Sequence, residues 1–142
     1  MNNKTHPTYD EIHYTVCNFV KQIEHENYDL IGIIARGGML PGKIISHKLN
    51  IPTFTVYYSS EQGKGESHHQ YTLPTITNKK ILLVDEITDS GNTINDLIEF
   101  YDTNNCVHTY TIYWKNTAII KPTFHSVELN EIDGWVYMPW EI

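Results

Sequence analysis

The feature that most restricts the fold is a pattern that occurs twice. A short, unbroken apolar run is followed by polar residues or glycine and then by a helix-like segment. Leu30–Ala35 leads into Arg36–Gly38, and Ile81–Val84 leads into Asp85–Glu86. A strand that is apolar throughout is typical of a sheet buried on both faces. Such strands alternating with helices predict right-handed crossovers and a mostly parallel sheet.

The rest of the chain continues this alternation. Thr8 and Glu11 have the spacing of a capping box, which predicts a helix that ends near Asn27. The other expected elements are a helix from Pro41 to about Leu49, a strand at Phe54–Tyr58, a helix from Thr93 to about Asp102 and a strand at Val107–Trp114. Residues 115–142 are expected to be irregular apart from a short extended piece at Trp135–Tyr137. The chain of 142 residues is therefore predicted to be one α/β domain, 1–142, with helices flanking the sheet.

Charge and composition exclude several function classes. The formal net charge is −7, whereas a protein that reads duplex nucleic acid needs a basic face to displace counterions. No apolar run approaches the roughly 20 residues of a membrane span. The start of the chain lacks a signal pattern, and Cys17 and Cys106 have no metal or redox spacing. We expect a cytoplasmic protein with no nucleic-acid or membrane partner.

The stretch from Ile81 to Thr93 carries the most chemical information. A buried strand delivers the carboxylates Asp85 and Glu86, and a hydroxyl-rich loop then opens a helix. Amides at a helix start bind anions, and Gly91 lets the backbone approach a phosphate closely. Carboxylates beside a phosphate site need sugar hydroxyls or a hard cation as partners. This combination suits a ribose 5-phosphate.

This stretch resembles the donor-binding signature of the type I phosphoribosyltransferases. The resemblance implies a phosphoribosyltransferase fold with a small C-terminal hood, residues 115–142. It also implies a phosphoribosyl diphosphate (PRPP) donor and Mg²⁺, which Asp85 or Glu86 partly holds. Asp89 is implied as the catalytic residue that handles a proton of the base. The donor-binding residues expected in this stretch are Asp85, Glu86, Thr88, Asp89, Ser90, Gly91, Asn92 and Thr93.

The first glycine turn has two interpretations. The sequence from Gly37 to Ile44 is similar to a P-loop motif. However, Ile44 lacks the side-chain oxygen that would hold magnesium, and Pro41 has no backbone N–H to donate to a bound phosphate. Under the resemblance, Arg36, Gly37 and Gly38 instead form the diphosphate loop. The long polar segment from Ser59 to Thr72, with Lys64, is expected to be a mobile loop that excludes water.

The last quarter of the chain is expected to bind the base. Its residues resemble the small xanthine/guanine/hypoxanthine subgroup, which implies that Lys115 reads the six-position oxygen, Trp135 stacks on the purine and Val136 offers backbone contacts. A cation at that oxygen suits an oxopurine and rejects adenine. The predicted function is oxopurine salvage by a homo-oligomeric enzyme. A donor-sensing regulator without turnover and a pyrimidine or orotate transferase remain as alternatives.

Overall fold

The architecture is one five-stranded sheet with helices on both faces. The computed structural model describes residues 4–58, 60 and 72–141. In chain order the elements are α1 (Tyr9–Ile23), β1 (Leu30–Ala35), α2 (Met39–Leu49), β2 (Thr53–Tyr57), β3 (Lys80–Thr88), α3 (Asn92–Tyr101), β4 (Cys106–Lys115) and β5 (Phe124–Leu129), followed by 3₁₀ turns at Glu131–Asp133 and Pro139–Glu141. The strand order is β2-β1-β3-β4-β5, and all four neighbouring pairs are parallel. The predicted α/β fold is confirmed.

Side-chain alternation along the central strands divides the interior into two cores. In β3, Leu82 and Val84 join the core under α1 and α2, whereas Ile81 and Leu83 join the core under α3. All four side chains are fully buried. Burial on both faces is the reason that β1 and β3 appear in the sequence as unbroken apolar runs.

The first helix begins where its capping box predicts. The Glu11 amide donates to the Thr8 hydroxyl and the Thr8 amide donates to the Glu11 carboxylate, both at 3.1 Å. Its buried stripe is Ile12, Val16, Phe19, Val20 and Ile23. The helix ends at Ile23, four residues before the expected end, and Asn27 adopts a left-handed φ of 57° where the chain turns toward β1.

The expected bounds of β3 and the irregular C-terminal quarter both need correction. Strand β3 continues beyond Val84 through Asp85 to Thr88, because Asp85 pairs with Thr111 and Thr88 pairs with Trp114 of β4. A further parallel strand, β5, was not predicted in the C-terminal quarter. The extended piece expected at residues 135–137 joins no strand of the described sheet.

The carboxyl ends of the parallel strands meet at one edge of the sheet. The residues that follow β1 and β3, the end of β4 and the C-terminal hood therefore lie together, as expected for ligand sites in open α/β sheets. None of the described helices is long and apolar enough to cross a bilayer.

Candidate active site

Two adjoining cavities open at the carboxyl edge of the sheet. One encloses about 600 Å³ and is lined by Arg36, Gly37, Asp85, Glu86, Trp140 and Glu141 among others. The second encloses about 300 Å³ and is lined by the end of β3 from Asp85, the loop from Asp89 to Gly91 and the start of α3. Asp85, Glu86 and Thr93 line both. The cavities therefore form one continuous site with the acidic pair at its centre.

The acidic pair is held in an environment that disfavours negative charge. Burial raises the pKa of Asp85 to about 8, although the Glu86 amide, 2.8 Å from Asp85 Oδ1, acts in the opposite direction. Burial also raises the pKa of Glu86 to about 7, the charge of Glu141 adds to that rise, and a hydrogen bond from Trp140 opposes it. Among the described residues, the buried Glu86 Oε2 has no hydrogen-bond partner. In the described part of the chain, the donors to these carboxyl groups are the Glu86 amide and Trp140, which are neutral, so the charged forms gain little stabilisation.

These raised pKa values make ligand-free stability depend on pH. A carboxyl group whose folded pKa exceeds its unfolded value near 4 stabilises the fold when protonated, and that contribution is lost as pH rises through about 7 to 8. We expect the free energy of unfolding of the wild type to fall more steeply between pH 5 and pH 8.5 than that of Glu86→Gln. Urea denaturation at several pH values measures both slopes. Parallel profiles would contradict the raised pKa of Glu86.

The first glycine turn packs tightly against the acidic pair and the central strands. A Cβ atom on Gly37 would lie 2.8 Å from Asp85 Oδ1 and from Glu86 Cδ. A Cβ atom on Gly38 would lie 2.1 Å from the Val84 carbonyl oxygen. The peptide bond between Ala35 and Arg36 is cis, and the Arg36 side chain is exposed at the cavity. Backbone atoms therefore exclude a side chain at Gly38, whereas at Gly37 the atoms in the way belong to the side chains of Asp85 and Glu86.

The second loop presents the start of α3 to the smaller cavity. Gly91 is the N-cap residue, with a left-handed φ of 91°, and it has no side chain that could cap the helix. The Asn92 amide donates to Ser90 Oγ at 3.2 Å, and the hydroxyl of Thr93 lies 3.2 Å from that of Ser60. An anion in this cavity would meet amides and hydroxyls at a helix N-terminus.

Thr88 differs from the other hydroxyl residues of this loop. Its side chain is only 1% exposed, and its hydroxyl lies 3.0 Å from the Thr111 hydroxyl inside the sheet. This engagement follows from the extension of β3 through Thr88. A contribution of Thr88 to an anion site therefore falls to its backbone.

The residues expected to bind a base meet at the edge of the smaller cavity. Lys115 Nζ lies 2.9 Å from Asp89 Oδ1 and 5.8 Å from the centre of the Trp135 ring. The Trp135 side chain is 53% exposed, so its face is available to a ligand, whereas Val136 is 4% exposed and packs in the core under α1. The structure brings Asp89, Lys115 and Trp135 together, and only backbone atoms of Val136 remain for a ligand.

Several lining residues were not identified from the sequence. Trp140 and Glu141 lie in the closing sequence that also carries Trp135, but they reach the larger cavity rather than the base residues. Tyr58 also lines that cavity, and Ser60 lines the smaller one. Two features of the sequence could have identified them. Tyr58 lies at the end of a predicted strand, and Trp140–Glu141 lies close to Trp135, which was assigned to the base.

The P-loop interpretation fails in three dimensions. Helix α2 begins at Met39, so the glycine turn contains only residues 36–38, and Lys43 is exposed within the helix. Pro41 and Gly42 are buried in that helix instead of forming a phosphate cradle. The predicted lid, residues 59–72, lies outside the described residues except for Ser60 and Thr72, and Lys64 is among the residues outside.

Comparisons with known proteins agree with this geometry. Residues 10–142 match the family model of the phosphoribosyl transferase domain. The xanthine-guanine phosphoribosyltransferase of Idiomarina loihiensis is 26% identical over 141 residues, which cover 95% of this chain and 85% of that protein. The protein of the same name from Chromohalobacter salexigens is 26% identical over 145 residues, which cover 95% of this chain and 82% of that one.

Solved structures show the same fold. The purine phosphoribosyltransferase of Pyrococcus horikoshii superposes with a TM-score of 0.79 at 21% identity, covering 96% of this chain and 93% of that chain. The Helicobacter pylori xanthine-guanine-hypoxanthine phosphoribosyltransferase superposes with a TM-score of 0.75 at 21% identity, covering 95% and 91%. The chain therefore shares its overall fold with these structures over nearly its whole length.

Proposed function

This chain belongs to the phosphoribosyltransferase family, and on that premise we propose that it transfers ribose 5-phosphate from PRPP to an oxopurine base. Guanine, xanthine and hypoxanthine are the candidate bases, and diphosphate is the product released. The names of the relatives support a purine substrate, and the arrangement of Asp89, Lys115 and Trp135 supports it independently.

The observation that carries this proposal is the contact between Lys115 and Asp89 beside an exposed aromatic ring. An oxopurine with a proton on its seven-position nitrogen presents an accepting carbonyl and a donating N–H side by side. An ammonium and a carboxylate 2.9 Å apart offer the complementary donor and acceptor. Adenine carries an amino group at the six position, which donates and would face the ammonium. The same convergence disfavours the pyrimidine alternative, which required Lys115 and Trp135 to lie apart.

The donor is assigned to the two cavities. Asp85 and Glu86 accept hydrogen bonds from the vicinal ribose hydroxyls, which would satisfy carboxyl groups that have no such donors in the described structure. The 5-phosphate binds at the start of α3. The backbone of Thr88 and the loop residues Asp89, Ser90, Gly91, Asn92 and Thr93 surround it. Arg36 and the Gly37–Gly38 turn bind the diphosphate.

A magnesium ion fits the chemistry of this site. Among the described residues, the larger cavity is lined by three carboxylates, Asp85, Glu86 and Glu141, and by one cationic side chain, Arg36, so a polyanionic donor needs further positive charge. The buried Glu86 Oε2 without a partner is an oxygen of the kind that a hard cation prefers. No cluster of three or more potential metal ligands occurs among the described residues. Asp85 and Glu86 would therefore hold Mg²⁺ together with oxygens of the donor, and the ion would supply charge neutralisation for the diphosphate.

The proposed reaction exchanges one bond at the anomeric carbon for another. The bond to the diphosphate oxygen breaks through an oxocarbenium-like state, and a purine nitrogen forms the new bond. Arg36 stabilises the charge that grows on the departing diphosphate. Asp89 accepts or steers the proton that the base loses, and Lys115 holds the six-position oxygen.

The proposal is tested by one panel of assays. PRPP is incubated with guanine, hypoxanthine, xanthine, adenine, uracil and orotate, each with Mg²⁺ and with excess chelator. We expect diphosphate release with the oxopurines only, loss of activity in chelator and recovery when Mg²⁺ is restored. Turnover with orotate or uracil would overturn the purine assignment. PRPP binding without turnover of any base would favour a regulator, and full activity in chelator would remove the metal.

The base assignment leads to a paired mutational test. Trp135→Ala should raise the KM for the base about tenfold or more, since base–aromatic stacking is worth roughly 1–3 kcal/mol. Because Trp135 is 53% exposed, the variant should remain folded with an unchanged donor KM. Lys115→Ala should remove the preference for six-oxo purines. Phe100→Ala is the control, because Phe100 is a similarly exposed aromatic, 49%, on α3. Wild-type base selection in both variants would contradict the assignment.

A further inference from the structure

The segment that precedes α1 is fastened to the C-terminal hood by three contacts. Lys4 Nζ lies 3.1 Å from Asp133 Oδ2. The Tyr137 amide donates to the Thr5 carbonyl oxygen at 2.8 Å. His6 stacks on the Tyr137 ring with centroids 5.0 Å apart and an interplanar angle of 20°. We refer to residues 4–6 as the N-terminal strap.

The strap contacts the hood on both sides of the residue assigned to the base. Asp133 lies two positions before Trp135, and Tyr137 lies two positions after it. Trp135 and Tyr137 are 53% and 48% exposed, whereas Val136 and Met138 between and beyond them are 4% and 1% exposed. Alternation therefore buries one side of this stretch under α1 and leaves the Trp135 ring on the open side.

Within the described residues, the open side is held by contacts outside the sheet. Residues 134–138 join no strand of the described sheet, so the bond to Thr5 ties their backbone to a distant part of the chain. Asp133 also accepts from the Asn130 amide at 2.7 Å, and the two bonds on Asp133 fix the 3₁₀ turn that leads into this stretch. Loss of the strap would leave the buried Val136 and Met138 as anchors and allow the exposed Trp135 ring to reorient.

We propose that Lys4, Thr5 and His6 are positioning residues for base binding: they hold the hood so that Trp135 faces the Lys115–Asp89 pair. This inference rests on the proposed function, because it takes Trp135 as the stacking residue. The strap residues do not line either described cavity. Their effect is expected in the affinity for the base and not in the chemistry.

The test compares Lys4→Ala, His6→Ala and the double variant with the wild type in steady-state kinetics. The double variant should raise the KM for the base about fivefold, the combined effect of a part-buried ion pair and an aromatic stack. The KM for PRPP and kcat should stay within about twofold. Tyr9 is not replaced, because its ring centroid lies 6.2 Å from that of Trp140. Trp140 lines the larger cavity, which is assigned to the donor.

Two controls separate positioning from a general loss of stability. Lys4→Arg keeps the ion pair and should restore the base KM to the wild-type value. Lys48→Ala removes an exposed lysine near the end of α2, at the opposite edge of the sheet, and should change nothing. An unchanged base KM in the double variant, or an equal rise in both KM values, would overturn the proposal.

Hydrogen–deuterium exchange measures the hydrogen bond between the Tyr137 amide and Thr5 without using turnover. The Tyr137 amide should exchange faster in the double variant than in the wild type, because its bond to Thr5 opens more often. An unchanged exchange rate would overturn the proposal that the N-terminal strap holds the hood. If the wild type turned over no base, the proposed function would fail, and with it the role in base binding, whereas the exchange rates would still report on the strap itself.

Discussion

Replacing Asp89 by asparagine is expected to lower kcat by about 10²–10⁴, the usual contribution of a positioned acid–base group. Asparagine retains an oxygen that can accept from Lys115, so the 2.9 Å contact and the position of the base should survive while the proton acceptor is lost. The KM for PRPP should therefore change little. Steady-state kinetics with saturating and limiting donor measure both quantities.

The control for this variant is Asp102→Asn. Asp102 is an exposed aspartate that ends α3, at the far end of that helix from the site, and its replacement should leave both parameters unchanged. If Asp89→Asn instead weakened donor binding at an unchanged kcat, Asp89 would only shape the phosphate loop, and the base would lose its proton by another route.

Replacing Gly38 or Gly37 by alanine should affect two different properties: stability in the first case and donor binding in the second. In Gly38→Ala the new methyl group would meet the Val84 carbonyl oxygen at 2.1 Å and the Ile34 carbonyl oxygen at 2.8 Å, and these are backbone atoms of two paired central strands. Because a strand backbone cannot move aside as a side chain can, we expect a loss of about 3 kcal/mol or more in the free energy of unfolding. The melting temperature should fall by roughly 10 °C.

In Gly37→Ala the methyl group would meet the side chains of Asp85 and Glu86 instead, both at 2.8 Å. Side chains can rotate away, so stability should change little, but the carboxylates would leave the positions assigned to the ribose hydroxyls. We expect the KM for PRPP to rise about tenfold, a loss of roughly 1.4 kcal/mol in donor binding. Thermal melts and donor titrations on both variants give the comparison, and identical behaviour of the two would contradict it.

The central part of the fold and site could be predicted because burial and function leave simple traces in the sequence. Residues 30–35 are apolar throughout because β1 has neighbours on both edges and helices on both faces, and the observed strand has the expected bounds. Asp85 and Glu86, which come directly after the apolar run of β3, and the glycines after β1 are not residue types that fill a core, so they predicted a candidate site at this edge of the sheet.

The misjudged parts lie where tertiary contacts override local pattern. The polar pair Asp85–Glu86 suggested the end of a strand, but pairing with β4 continues for two more residues, Ile87 and Thr88. Strand β5 has a single partner, and its burial is uneven, so its residues Phe124–Leu129 show neither an unbroken apolar run nor a clean alternation. Trp140 and Glu141 reach the larger cavity through a turn that no local motif encodes.

The order of the strands has a consequence for how this protein could diversify. The residues assigned to the donor lie at or just after the carboxyl ends of β1 and β3, two adjacent interior strands. Those assigned to the base lie mainly at the end of β4 and in the segment that follows the edge strand β5. Mutations that accumulate at the edge disturb few backbone pairings, because β5 has one neighbour. Recognition of a new acceptor can therefore evolve, or be engineered, at the rim of the sheet while the interior continues to activate the same sugar phosphate.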